Sequence, residues 1–221
     1  MGGVEPNLDT MTDANAPSDV TVVMICKNAL ETLPGALSSV LAQHPGQVVV
    51  AWTPSGDADD TPAVVRQTAP RAKIIQVDAP GIAAARNAAI RDLGHSQVVA
   101  WCDADDRWLP GKLEAQLTSL AQGANWVVTN CEKAGEVVAG FTPSTCAVTV
   151  SFLRQVGNWD TRFHLAADHD WMVRARRLAA PVVLEDVYVR KGVHGANASH
   201  DRLGYRKELM RWARLQNPDK S

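Results

Sequence analysis

The sequence predicts an α/β domain whose central sheet is mostly parallel and covered by helices on both faces. Three observations carry that expectation. Short β-branched or apolar runs alternate with segments of helical spacing four times in succession. Such alternation at short separation is the pattern of parallel strands joined by crossover helices. The runs are also apolar enough for strands buried on both sides.

The elements follow in order. "VTVVMIC" is the first strand, and "ETLPGALSSVLAQ" sets Leu33, Leu37, Val40 and Leu41 at helical spacing. "QVVVAW" is the second strand; it leads into "TPSGDADDTPAVVRQTA", where Thr61 before Pro62 reads as an N-cap with proline in the first turn. "AKIIQV" precedes "APGIAAARNAAIRDLG", an alanine-rich helix expected to stop at Gly94. "SQVVAWC" is the fourth strand. Past Pro110, "GKLEAQLTSLAQ" is an amphipathic helix, "NWVVTNCEK" and "GEVVAGF" are strands around a turn, and "DHDWMVRARRLA" is a helix that begins in acid and ends in base, as the helix dipole favours. "PVVLEDVYVRKGVHG" is a late strand and "RLGYRKELMRWARL" a terminal amphipathic helix. Residues 1–18 mix Gly, Pro, Asn and Asp without an apolar period and read as a flexible tail.

Composition narrows the function. The chain has 221 residues, 46% hydrophobic and 21% charged, enough for a sizeable core. A formal charge of −2 gives no basic footprint for nucleic acid. Cys26, Cys102, Cys131 and Cys146 are widely spaced, and no secretory start precedes them, so they read as reduced thiols of a cytoplasmic protein. No run reaches the roughly 18 apolar residues of a membrane span. The terminal helix is expected to pack on the core, with a homodimer contact or a peripheral membrane contact as its other uses.

The chemistry concentrates in "WCDADDRWLP". Asp103, Asp105 and Asp106 stand at the end of the fourth strand, the edge at which ligands of open α/β sheets bind. Close carboxylates repel unless a cation neutralises them, and hard oxygens one residue apart suit Mg²⁺ or Mn²⁺ shared with substrate phosphates. The alternative use is helix capping, for which Asp106 is the best placed. Asp168 and Asp170 flank His169 at the start of another helix, where a carboxylate serves either as a base or as a cap.

"PGIAAARNAAIRDLGHSQVVAWCDADDRWLPGKLEAQL" closely resembles the nucleotide-binding core of the family 2 glycosyltransferases of GT-A fold. "VTVVMICKNALETLPGALSSVLAQ", "VGNWDTRF", "ADHDWMVRARR" and "VHGANAS" are similar to further motifs of that family, in family order, over roughly residues 19–200. The resemblance implies a single GT-A (Rossmann-like) domain over 19–200, with a nucleotide-binding part at about 19–110, an acceptor part with a small antiparallel region at about 111–200, and the terminal helix at 201–221. It implies inverting transfer of one sugar from a nucleoside diphosphate sugar. UDP-sugars rank first as donors, ahead of dTDP- and GDP-sugars, and the acceptor is left open.

By position in the motifs, Asp105, Asp103 and His194 hold the metal, Mg²⁺ or Mn²⁺. Cys26, Lys27, Asn28, Thr53, Arg86, Asp103, Ala104 and Asp105 bind the donor. Asp168 is the general base, with Asp170 as the second choice because Ala167 replaces the acid that usually precedes it. Trp108, Trp159 and Trp171 are candidates for a sugar or acceptor pocket, beside the ordinary use of tryptophan in a core. Trp52 and Thr53 stand where family members carry an Asp pair whose second member reads uracil. Asp57, Asp59 and Asp60 are left as substitutes from the loop or as an acidic turn capping the next helix. Two other functions fit part of this pattern: a sugar nucleotidyltransferase, and a sugar-nucleotide-binding subunit without catalysis.

Overall fold

The computed structural model describes residues 16–56, 59–192 and 201–216. All but the last three residues of the expected tail lie outside that range. Four strands, β1 (Val20–Cys26), β2 (Gln47–Trp52), β3 (Lys73–Gln76) and β4 (Val98–Trp101), pair in parallel in the order β3-β2-β1-β4. Helices α1 (Leu33–Leu41), α2 (Thr61–Thr68) and α3 (Ile82–Ala89) connect them. The strand order runs one way from β1 to β3 and the other way to β4. A crevice therefore opens beyond the carboxyl ends of β1 and β4, where the winding reverses.

The second half adds β5 (Arg107–Trp108), α4 (Lys112–Ala121), β6 (Trp126–Lys133), β7 (Glu136–Val138), β8 (Cys146–Thr149), α5 (Val150–Val156), α6 (Ala167–Leu178), β9 (Val182–Arg190) and α7 (Arg202–Gln216). β8 lies antiparallel between β4 and β6, β9 runs parallel to β6, and β5 closes the edge antiparallel on β9. The mixed sheet, with its antiparallel region in the second half, matches the expected architecture.

Alternate residues along each strand enter opposite cores. Val22, Met24, Val50 and Ala100 face α1 and α4, whereas Val23, Val49, Val99 and Trp101 face α3, α5 and α6. Four indoles dominate the second core, and Trp159 stacks on Trp171 with centroids 4.8 Å apart and planes 8° apart. The terminal helix packs on this face through Leu209 and Trp212.

Three local expectations are corrected. Helix α3 ends at Ala89 rather than at Gly94, because Arg91 and Asp92 already bond three residues back, to the Ala88 and Ala89 carbonyls; Gly94 (φ 54°) sits in the turn beyond. Asp60, not Thr61, occupies the N-cap of α2, and buried Thr61 places its hydroxyl 4.0 Å from the Cys26 thiol. The stretch between "GEVVAGF" and "DHDWMVRARRLA", given no element from the sequence, contains β8 and α5. The "CAVTV" run and Thr149, whose Oγ1 accepts the Phe152 N–H at 3.2 Å, were the available signals.

Candidate active site

The crevice is built around one buried guanidinium. Arg86, on α3, is 1% exposed and would be costly to bury alone. Its Nε donates to Asp168 Oδ1 at 2.7 Å, and its Nη2 donates to Asp168 Oδ2 at 3.0 Å and to Asp103 Oδ1 at 3.1 Å. Burial works against its charge, but the two carboxylates outweigh that and hold it firmly protonated. Nη1 has no hydrogen-bond partner among the described residues. Asn87 braces the same turn: its side chain donates to the Trp159 carbonyl and accepts the Trp159 N–H, both at 2.9 Å. Trp159 in turn donates its indole N–H to Asp168 Oδ1 at 2.9 Å.

The acidic stretch is anchored from the far side of the sheet. The antiparallel register pairs Arg107 with Arg190, so Asp106, one residue before, meets Lys191, one residue after. Asp106 is fully buried; it accepts from Lys191 Nζ and Ser144 Oγ, each at 2.5 Å, and from the Gly192 N–H at 3.0 Å. A Cβ on residue 192 would overlap the Asp105 carbonyl oxygen, so only glycine lets that N–H approach. The expectation that Asp106 caps a helix is therefore wrong: α4 starts at Lys112 behind Gly111 (φ 82°), and Asp106 is a buried anchor. Ser144 also accepts the Asp103 N–H at 2.9 Å.

Asp103 shares both cations, with Lys191 Nζ 3.5 Å from its Oδ2. Burial acts to raise its pKa, but Arg86 and Lys191 more than offset this and hold the carboxyl below its ordinary range. Asp105 is half-buried between Ala104 and Asp106 on the same turn. Asp103, Asp105, Asp106 and Asp168 place four carboxylates here, with Arg86 and Lys191 lodged among them. That excess of negative charge and the hard oxygen donors suit a divalent cation whose shell is completed by phosphate and water. The described residues alone do not form a three-ligand set. His194, the third expected ligand, lies outside the described residues.

The other expected residues divide. Cys26 is buried at the end of β1, its thiol pushed up to about 11 by burial, while Lys27 and Asn28 are exposed just beyond. Thr53 ends the β2 run and donates its N–H to the Cys26 carbonyl at 3.0 Å, so both lie at the crevice. Asp59 organises the β2 loop, accepting from Trp52 Nε1, from Ser55 and from the Thr61 N–H. Burial acts to raise its pKa, but these hydrogen bonds hold the carboxyl well below its usual range. That matches a turn that caps α2, while Asp57 falls outside the described residues.

Asp170 is buried, paired with Arg174 at 2.8 Å and accepting Trp212 Nε1 at 2.9 Å. Its oxygens are committed to packing α6. Trp159 and Trp171 border, with Asp168, Trp101, Pro143, Cys146 and Met172, a small gap of about 10 Å³, room for about one water molecule. Trp108 is not there: it is buried in the opposite core, bonded to the Ser144 carbonyl and covered by Lys112 Nζ 3.9 Å from its ring centroid. Ser144 and Lys191 were absent from the expected site, and only "RK" beside His194 hinted at the lysine.

A mixed sheet with a crevice at its topological switch, rimmed by an Asp-x-Asp turn and facing a second carboxylate, is the architecture of the GT-A fold. The family model described as Glycosyl transferase family 2 matches residues 21–179, and the chain belongs to that family. Two succinoglycan biosynthesis proteins of Rhizobium meliloti, ExoU and ExoO, are 36% identical over 104 residues and 34% identical over 117. These matches span 45% and 52% of this chain but only 30% and 33% of the relatives' own lengths.

Among solved structures, glucosyl-3-phosphoglycerate synthase from Mycobacterium tuberculosis, in complex with Mg²⁺ and UDP, is similar with a TM-score of 0.66. It is 13% identical, over 93% of this chain and 82% of that one. S. aureus TarS with UDP gives 0.67 at 16% identity, over 87% and 71%. These likenesses establish the fold. Among the described residues no helix is long and apolar enough to cross a membrane.

Proposed function

We propose that this protein transfers one sugar from a nucleoside diphosphate sugar to an acceptor hydroxyl, with inversion at the anomeric carbon. The observation that supports this most strongly is the Arg86 bridge, which holds a leaving-group carboxylate, Asp103, and a second carboxylate, Asp168, on two sides of one crevice. Asp168 takes the acceptor hydroxyl proton as the acceptor oxygen bonds to the anomeric carbon. The bond from that carbon to the diphosphate oxygen breaks, and its electron pair leaves with the nucleoside diphosphate. One displacement with one base inverts the centre.

Asp105 and Asp103 would hold Mg²⁺ or Mn²⁺, which when bound supplies positive charge to the departing diphosphate. Arg86 orients Asp168 and carries a spare N–H on Nη1 for a phosphate oxygen. Thr53 offers a hydroxyl that both donates and accepts for the nucleobase. UDP-sugars are the first donors to test, since TarS and the synthase were solved with UDP, with GDP- and dTDP-sugars next. The succinoglycan relatives support a saccharide acceptor.

Calorimetric titration of UDP with Mn²⁺ tests the donor site. Wild-type protein is expected to bind, and Asp105→Ala to bind at least tenfold more weakly while keeping its fold; equal affinity in that variant would remove the metal assignment.

A further inference from the structure

The donor site contains a lysine that neither the motifs nor the mechanism above requires. Lys191 follows the last residue of β9, and its backbone N–H is fixed on the Glu132 carbonyl at 2.8 Å. Its ammonium lies 2.5 Å from Asp106 Oδ2 and 3.5 Å from Asp103 Oδ2, and the side chain is 17% exposed. Asp106 cannot respond to ligand: it is fully buried, and Ser144 and Gly192 take its remaining capacity. Asp106 therefore works as a clamp that fixes the ammonium beside Asp103. An ammonium has three donors, and among the described residues its ion-pair partners are these two carboxylates, with the side chain still 17% exposed beside Asp103 at the crevice.

We propose that Lys191 is a cation of the donor site itself, whose ammonium contacts the diphosphate of the bound nucleotide directly. This inference rests on the nucleotide-sugar reading above and goes beyond it. Two cations then serve the diphosphate. One is the exchangeable metal; the other is a fixed ammonium whose position is set by the β5–β9 register. Nucleotide affinity consequently has a component that survives metal removal. An orienting charge fixed before binding also costs no rearrangement when the leaving group departs.

The test uses the full chain and titration calorimetry with uridine and UDP, each in EDTA and in Mn²⁺. Lys191→Met alone strands a buried carboxylate, so it is paired with Asp106→Asn/Lys191→Met, which removes both charges, and with Lys191→Arg. Wild-type protein in EDTA is expected to bind UDP at least tenfold more tightly than uridine. The double variant should lose that preference while binding uridine unchanged, and Lys191→Arg should stay within about threefold of wild type.

The inference fails if wild-type protein in EDTA shows no preference for UDP over uridine, or if the double variant, folded by circular dichroism, keeps it. Absence of UDP binding by wild-type protein even with Mn²⁺ would instead remove the donor-site reading on which the inference stands.

Discussion

A guanidinium excluded from water is tolerated only where its charge is answered, and Arg86 is answered by two carboxylates from different elements, Asp103 after β4 and Asp168 on α6. Removing one partner of such a buried arrangement leaves uncompensated charge, at a cost of about 3–5 kcal/mol. The exposure of both carboxylates puts Arg86→Met at the lower end, about 3 kcal/mol by denaturant titration, with nucleotide turnover lost. A variant with wild-type stability would show that the bridge does not hold the crevice together.

Arg86, Asp103, Asp105 and Asp168 were legible in the sequence because each sits in a short local pattern. Asp106, Lys191 and Ser144 were not. Their meeting depends on the register of β5 on β9 and on the short 3₁₀ turn at Pro143–Thr145, and residues 106, 144 and 191 carry no mark of it in sequence. Asp106 read as a helix cap because Pro110 follows closely, whereas the chain first makes two residues of strand.

Among the elements, α6 carries Asp168, but its N-cap residue is Ala166, whose methyl group cannot accept a hydrogen bond. The cap comes from α7. The Glu208 carboxylate accepts the N–H groups of His164, Leu165 and Ala166 at 2.7–3.0 Å, and Trp212 bonds Asp170 on the next turn. Burial acts to raise the Glu208 pKa, but the three N–H groups outweigh it and lower it. A carboxylate depressed in the folded state stabilises above its ordinary range, near 4.3, and loses that contribution as pH falls through it.

Glu208→Gln is therefore expected to cost about 1–2 kcal/mol at pH 7 in urea unfolding, with a gap to wild type that narrows toward pH 3. A gap constant with pH would refute the capping role. The amphipathic spacing of α7 was readable. Its capping function was not, because a carboxylate that caps another helix leaves no local signature. The same holds for β8: its four residues make sense as a strand only between β4 and β6.

At the scale of the whole molecule, the parallel half was legible from periodicity alone, since its strands and helices alternate locally. The antiparallel half depends on long-range pairing that periodicity does not encode. All of it meets at one crevice, so a ligand that binds only the folded protein should stabilise the entire domain. A nucleotide at about a hundredfold over its Kd adds about 2.7 kcal/mol. For a chain of this size, that should raise Tm by about 5–10 °C in a thermal scan with Mn²⁺. No shift with any nucleoside diphosphate would place the crevice's function elsewhere.

Donor turnover is the most direct check on the proposed chemistry: release of nucleoside diphosphate from UDP-, GDP- and dTDP-sugars, followed for wild type and Asp168→Asn side by side with saccharide acceptors. The wild-type protein should release nucleoside diphosphate from at least one donor, and Asp168→Asn should bind that donor equally well while turning it over about 10²–10⁴-fold more slowly. Equal rates in the two proteins would take the base away from Asp168, and binding without release from any donor would make this a sugar-nucleotide-binding protein rather than a transferase.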